Sequence, residues 1–304
     1  MEIKHGRQVD FKSVTDLNVN LFLFAGNHEK RVFTCLDGIG KNNLIHETIM
    51  LSYGDEISYG SRKVVPKVIN DHTEIYDILE KVFSKYEGDV FNLVVDYSCM
   101  TKSWYYSIIL FLSKKKLCIE NINVYFSYTP SKFSTPHSPK PNKDISPLPG
   151  KYIVPTDKPK ALVVCLGYEE NKAQGIIDHL DPKEAYIFYS KPVLDDRFVK
   201  KIEENNKHIL SEIKTNKIIT FPFDDLLNLE RELTAVYFEL KDEYSVIIAP
   251  LGPKPFTFIS MLLSTKYKDI DIWRVGSGSD INLYKREPLP VENMIICQVV
   301  FISN

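Results

Sequence analysis

Short apolar runs alternate with segments of helical periodicity along most of the chain, and the alternation occurs twice in the same order. In the first pass, "NLFLFA" (Asn20–Ala25) reads as a buried strand. Val32, Phe33, Leu36 and Ile39 then recur at helix spacing, and "ETIMLSY" (Glu47–Tyr53) is the next strand. "EIYDILEKVFSKY" (Glu74–Tyr86) places Ile75, Ile78, Leu79 and Val82 on one helix face and leads into the strand "FNLVVD". In the second pass, "KALVVC" from Lys160 meets Gly167, and Ala173, Ile176, Ile177 and Leu180 line a helix before the strand "AYIFYS". Leu226, Leu229, Leu233, Val236 and Leu240 form the later helix, with Asp224 and Asp225 as N-cap candidates, and "YSVIIAP" follows. Both passes end in a turn carrying a lysine, then a helix ("YYSIILFL", "TFISMLL") and a strand ("NVYFSY", "DIWRV"). Buried strands separated by amphipathic helices require mostly parallel sheets covered on both faces, so the expected fold is α/β with an internal duplication.

The copies differ in one crossover. The second carries "DRFVKKIEENNKHIL", a predicted helix, where the first has only "SRKVVPKVIN". Thr129 to Pro159 holds eight of the seventeen prolines, which argues against a helix or central strand and for an extended connector. The expected division is residues 1–128, a connector over 129–159, and 160–304, where the tail "MIICQVVFI" adds an edge strand or small cap to the second half.

Composition narrows the function classes. Charged residues make up 26% of 304 residues, the net charge is −2 and there is no basic block, which argues against non-specific binding to duplex nucleic acid. Five scattered cysteines without a C-x-x-C pair favour thiols in a reducing compartment over disulfides or zinc. No apolar run approaches the ~18–20 residues that span a bilayer, and the first twenty residues lack a signal-like apolar core, so a cytoplasmic protein without a membrane partner is expected. "GIGKNN" follows a helix and is read as its stop, not as a phosphate loop. No cofactor motif or metal set is present in the sequence.

In open parallel sheets, ligands settle beyond the carboxyl ends of the strands, where helix N-termini present unpaired N–H groups. Four turns fall there: those at Gly26 and Gly167, the "DYSCMTK" turn and the "PLGPK" turn. Gly26 matches Gly167, Glu29 matches Glu170, Arg31 matches Lys172, and Lys102 matches Lys254. Gly26 and Gly252 would let the backbone approach an anion, and Lys102 and Lys254 would add charged hydrogen bonds. Glu29 and Glu170 are placed in first helical turns, where they face the dipole, pair with Arg31 or polarise a ligand. Asp96 ends a buried strand as a site residue or turn cap. Ser98 and Thr101 donate to a phosphate or cap the helix. Trp104 and Tyr168 are candidates for stacking on a base, and Cys99, with no histidine nearby, is read as packing.

"VVDYSCMTKSW", "IIAPLGPKPF" and "ALVVCLGYEENKAQGIIDHL" resemble the strand-turn-lysine and glycine-turn elements of CRISPR-associated Rossmann-fold sensor domains. The resemblance implies two tandem Rossmann-like halves with a shared cleft for a phosphorylated, possibly cyclic, nucleotide, in a sensor or component of anti-phage defence whose output comes from a separate effector. By position, Gly26, Ser98, Thr101 and Lys102 would line one half-site and Gly167, Gly252 and Lys254 the other. The family's Thr-Gly-Gly-Thr-Lys pattern is incomplete in both turns. The alternative is a metal-independent phosphodiesterase, with Lys102, Lys254 and Ser98 as its catalytic residues.

Overall fold

The computed structural model describes residues 1–54, 66–138, 140–276 and 285–303. The chain divides into two compact units, Met1–Lys132 with Asp280–Asn304, and Phe133–Ser279. Both are α/β, built on mostly parallel sheets of seven and six strands.

The first unit opens with β1 (Glu2–Val9) and continues with β2 (Asn18–Gly26), α1 (Thr34–Ile39), β3 (Leu44–Ser52), β4 (Pro66–Val68), α2 (Glu74–Phe83), β5 (Val90–Asp96), α3 (Lys102–Lys114) and β6 (Asn121–Tyr128). Five of these strands run parallel in the order β6-β5-β2-β3-β4. Leu21 to Ala25 are at most 1% exposed, as a central parallel strand covered on both faces must be. α2 buries Ile75, Leu79 and Phe83, with the Phe83 ring edge-on to Phe91 at 4.8 Å. α1 stops where expected, at Gly40, with the Asn43 amide donating to the Ile39 carbonyl at 2.7 Å.

The second unit comprises β7 (Asp144–Pro147), β8 (Lys160–Cys165), α4 (Lys172–Leu180), β9 (Glu184–Ser190), α5 (Asp196–Asn205), α6 (Lys207–Glu212), β10 (Ile218–Phe221), α7 (Leu226–Leu240), β11 (Ser245–Pro250), α8 (Lys254–Lys266) and β12 (Asp271–Gly276). Its parallel strands run β12-β11-β8-β9-β10. Strand for strand this is the order of the first unit, so the repeated sequence plan is a repeated topology. The Asp225 carboxylate caps α7 by accepting from the Asn228 N–H at 2.9 Å.

The tail corrects one expectation. β13 (Ile295–Ile302) lies in the first sheet, not the second, hydrogen-bonded antiparallel to β6 on one edge and β1 on the other. Ile295 to Phe301 are all at most 8% exposed. A run this apolar suits such an interior strand better than an edge. Its single polar member, Gln298, accepts from Arg7 Nε at 2.8 Å and donates to the Tyr125 hydroxyl at 3.2 Å.

The proline-rich connector is likewise more than a spacer. β7, within it, pairs antiparallel with β12 at the sheet edge, where Pro147 is tolerated at the strand's end. Leu148 is buried, and Lys151 Nζ donates to the carbonyls of Ser264 and Ile270, both at 2.7 Å. In the shorter crossover of the first unit, residues 61–65 lie outside the described residues and 66–68 form β4. The single helix expected at residues 196–210 is two, broken at Asn206.

Candidate functional site

In both sheets the strand order reverses beside the first parallel strand of the unit, so β2 and β5 in one unit, and β8 and β11 in the other, flank the switch point where α/β folds bind ligands. The loops beyond these carboxyl ends hold most of the candidate residues. The two halves have filled them differently.

In the first half, Asp96 ends β5 with 2% exposure, and its Oδ1 accepts from the Ser98 N–H (2.9 Å) and hydroxyl (2.5 Å). The Ser98 oxygen in turn accepts from the Thr129 N–H at 2.7 Å. Ser98 is fully buried, so its hydroxyl is built into the turn; meeting a substrate would require breaking this chain of bonds. Arg31 is the hub. Only 1% exposed, it donates Nε to Glu29 Oε2 (2.5 Å), Nη1 to the Thr129 carbonyl (2.8 Å) and Nη2 to the Ser98 carbonyl (2.9 Å). Burial works to lower the guanidinium's pKa, but Tyr128 and Glu29 oppose it and the net shift is upward. Glu29 also receives Asn27 Nδ2 at 3.4 Å and has Arg286 Nη1 at 3.5 Å. It precedes α1 instead of lying in its first turn, and its role is the pairing with Arg31.

Gly26 ends β2 opposite Ser52. Thr101 is the N-cap residue of α3 but shares its hydroxyl hydrogen bond with Ser103, at 2.7 Å, and Lys102 is the half-buried first residue of the helix. Trp104 is buried with its face stacked on Tyr53 at 4.1 Å, so that face is already covered. Cys99 is buried as expected of a packing thiol.

In the second half the turns are braced by their glycines and by two asparagines. A Cβ on Gly167 would sit 2.5 Å from the Leu251 carbonyl oxygen, and one on Gly252 would sit 2.4 Å from Cys165 Sγ and 2.7 Å from the Leu166 oxygen. These glycines let the β8 and β11 loops touch each other, a closer reason for them than approach to a ligand. Asn205 and Asn206, at the break between α5 and α6, donate to the carbonyls of Tyr168 (2.6 Å) and Gly167 (3.0 Å). Glu170 is exposed and does not repeat the buried position of Glu29. Lys254 opens α8, half-buried. That helix start is a poorer anion seat than its position suggests, because Pro255 has no N–H and the Phe256 N–H already donates to the Pro253 carbonyl at 3.1 Å.

α4 differs. Its N-cap, Asn171, makes no side-chain capping bond, so the first-turn N–H groups keep the unsatisfied character of a helix start. Its first residue, Lys172, is 8% exposed, and its ammonium has no hydrogen bond or ion pair among the described residues. Burial lowers the lysine's pKa, with Glu169 partly offsetting it. Beside it, the connector's Asn142 donates to the Asn171 carbonyl at 3.2 Å, while its buried Oδ1 is without a hydrogen-bond partner. Arg31 and Lys172 stand five residues after the corresponding glycines. The arginine is ion-paired with a buried carboxylate, and the lysine makes no ion pair among the described residues. The sequence pairs these two cations but did not single them out as site residues; their shared offset from Gly26 and Gly167 was the available signal.

No described helix is long and apolar enough to cross a membrane. No protein-family model matches the chain, and no curated protein matches it.

Proposed function

We propose that the chain binds a phosphate-bearing ligand at the carboxyl end of the second half's sheet, with the N-terminus of α4 and the Lys172 ammonium as the anion seat. The observation that carries this reading is Lys172 itself, buried at a helix start with no hydrogen bond or ion pair among the described residues and with Glu169 offsetting the burial only in part. An ionised group taken from water without a partner costs several kcal/mol. A phosphate oxygen would supply the missing partner, and the aligned N–H groups would add to it. The unpartnered Asn142 Oδ1 nearby suits a donor such as a sugar hydroxyl or base amino group. With the resemblance to cyclic-oligonucleotide sensor domains, a nucleotide is the favoured ligand and anti-phage sensing the favoured setting. Lys254 and the loops of Gly167 and Gly252 shape the rim, and the first half's Arg31–Glu29 pair holds its own turns together.

Isothermal titration of the intact protein against cyclic di-, tri- and tetranucleotides tests this. At least one should bind, and Lys172→Met should weaken it by about 10- to 150-fold, the worth of a charge-assisted hydrogen bond. Failure of every phosphorylated ligand to bind removes the proposal. Analysis of the ligand after long incubation separates binding from hydrolysis, since a receptor returns it intact.

A further inference from the structure

An open groove of about 510 Å³ lies on the first unit, its charged lining residues exposed, and none of the strand-end residues described above lines it. It opens between the last turns of α2 and the sheet. Lys81, in the last turn of α2, and Lys85, just past its end, line the helix side, and Lys67 lines it from the edge strand β4. Glu47, on β3, is the single carboxylate in the lining, and His46 stands beside it. Phe91, Ile78 and Val82 give the groove apolar walls.

None of the three ammonium groups makes a hydrogen bond or ion pair among the described residues. The nearby acid of α2, Glu80, is engaged elsewhere, 2.8 Å from Lys115. Cations favour a helix C-terminus, which accounts for Lys81 in the last turn of α2 and Lys85 just past its end. It accounts neither for Lys67 on a separate element nor for a concavity between them. Three ammonium groups against one carboxylate leave a net charge of about +2 around a space within the ~300–1,000 Å³ range of small-ligand pockets.

The geometry points to a second binding site here, for a small molecule carrying a polyphosphate group. Multiple phosphates match three separated lysines better than one phosphate does, and the apolar walls have room for an attached organic group. This site is independent of the one at α4, on a different sheet and with different cations.

The test uses the intact chain carrying Lys172→Met, so that the α4 seat does not contribute. Sodium tripolyphosphate is titrated by calorimetry at fixed moderate salt, alone and then in competition with a nucleoside triphosphate, which separates free polyphosphate from a nucleotide as the better occupant. One equivalent should bind. Adding Lys81→Gln with Lys85→Gln should weaken binding at least tenfold, whereas Lys214→Gln, an exposed lysine of the second unit, should leave it unchanged. Glu47→Gln should tighten binding severalfold, because it removes a repelling charge; a merely structural glutamate would not do so. No binding, or an equal loss from the control substitution, overturns the site.

Discussion

Arg31 and Lys172 show how one position in a repeated unit acquires opposite chemistry. Arg31 is held by Glu29 and two carbonyls, so replacing it leaves a buried carboxylate and two stranded acceptors. Arg31→Met should destabilise the first unit by about 3–5 kcal/mol, as breaking a buried pair does. The two tryptophans, Trp104 and Trp273, fall one in each unit, so denaturation of a Trp273→Phe protein followed by fluorescence reads this directly. Lys172 has the reverse sign. Its folded-state pKa lies below the ordinary lysine value, so between the two the unfolded chain binds more protons and stability rises with pH. The ligand-free protein should therefore gain stability on alkalinisation through that window, and Lys172→Met should be more stable than wild type at neutral pH and lack the gain. Ligand affinity should fall over the same window as the ammonium loses its proton. A Trp104→Phe protein, reporting through Trp273, is the sample for these melts. A wild-type profile parallel to that of Lys172→Met would remove the lysine from the account.

At the scale of elements, the central parallel strands were plain from spacing because each carries an apolar run, and α2, α4 and α7 because each has one apolar face; β1, β4 and β7, which are polar or very short, were not legible, and α3 and α8 are buried on nearly all sides. Turn chemistry was only half legible. Gly167 and Gly252 marked the right loops, but their reason is contact between backbones that only the folded state brings together. Gly252→Ala should cost about 1–3 kcal/mol by overpacking against Cys165 and Leu166, measurable as a lowered melting temperature of the second unit. Asn206 was invisible as a site residue for the same reason: its amide ends one helix and holds a carbonyl thirty-nine residues away in sequence. Ser98 stayed open on sequence grounds between a phosphate donor and a helix cap, because nothing local reveals that the Thr129 N–H, just past the end of another strand, donates to it.

At the scale of the whole chain, the two units share the five-strand parallel order and each adds an antiparallel strand beyond its last parallel one. The first takes β13 from the end of the chain, and the second takes β7 from the segment preceding its own parallel strands. That reversal is why the sequence assigned the tail to the wrong half: strands adjacent in sequence usually neighbour in space, and this one crosses an entire unit. Deleting residues 294–304 would uncover β6 and β1 together, so the first unit should lose its cooperative transition while Trp273 in the second still reports a folded environment. Concurrent loss of both signals would contradict the division into two compact units.

The central claim is that Lys172 and the start of α4 form a phosphate seat. Calorimetric titration of wild-type and Lys172→Met proteins, side by side, with the same set of cyclic nucleotides addresses it most directly. The expected result is a ligand bound by wild type and weakened at least tenfold by the substitution in a protein that remains folded. Equal affinity for the two proteins, or no affinity in either, would contradict it.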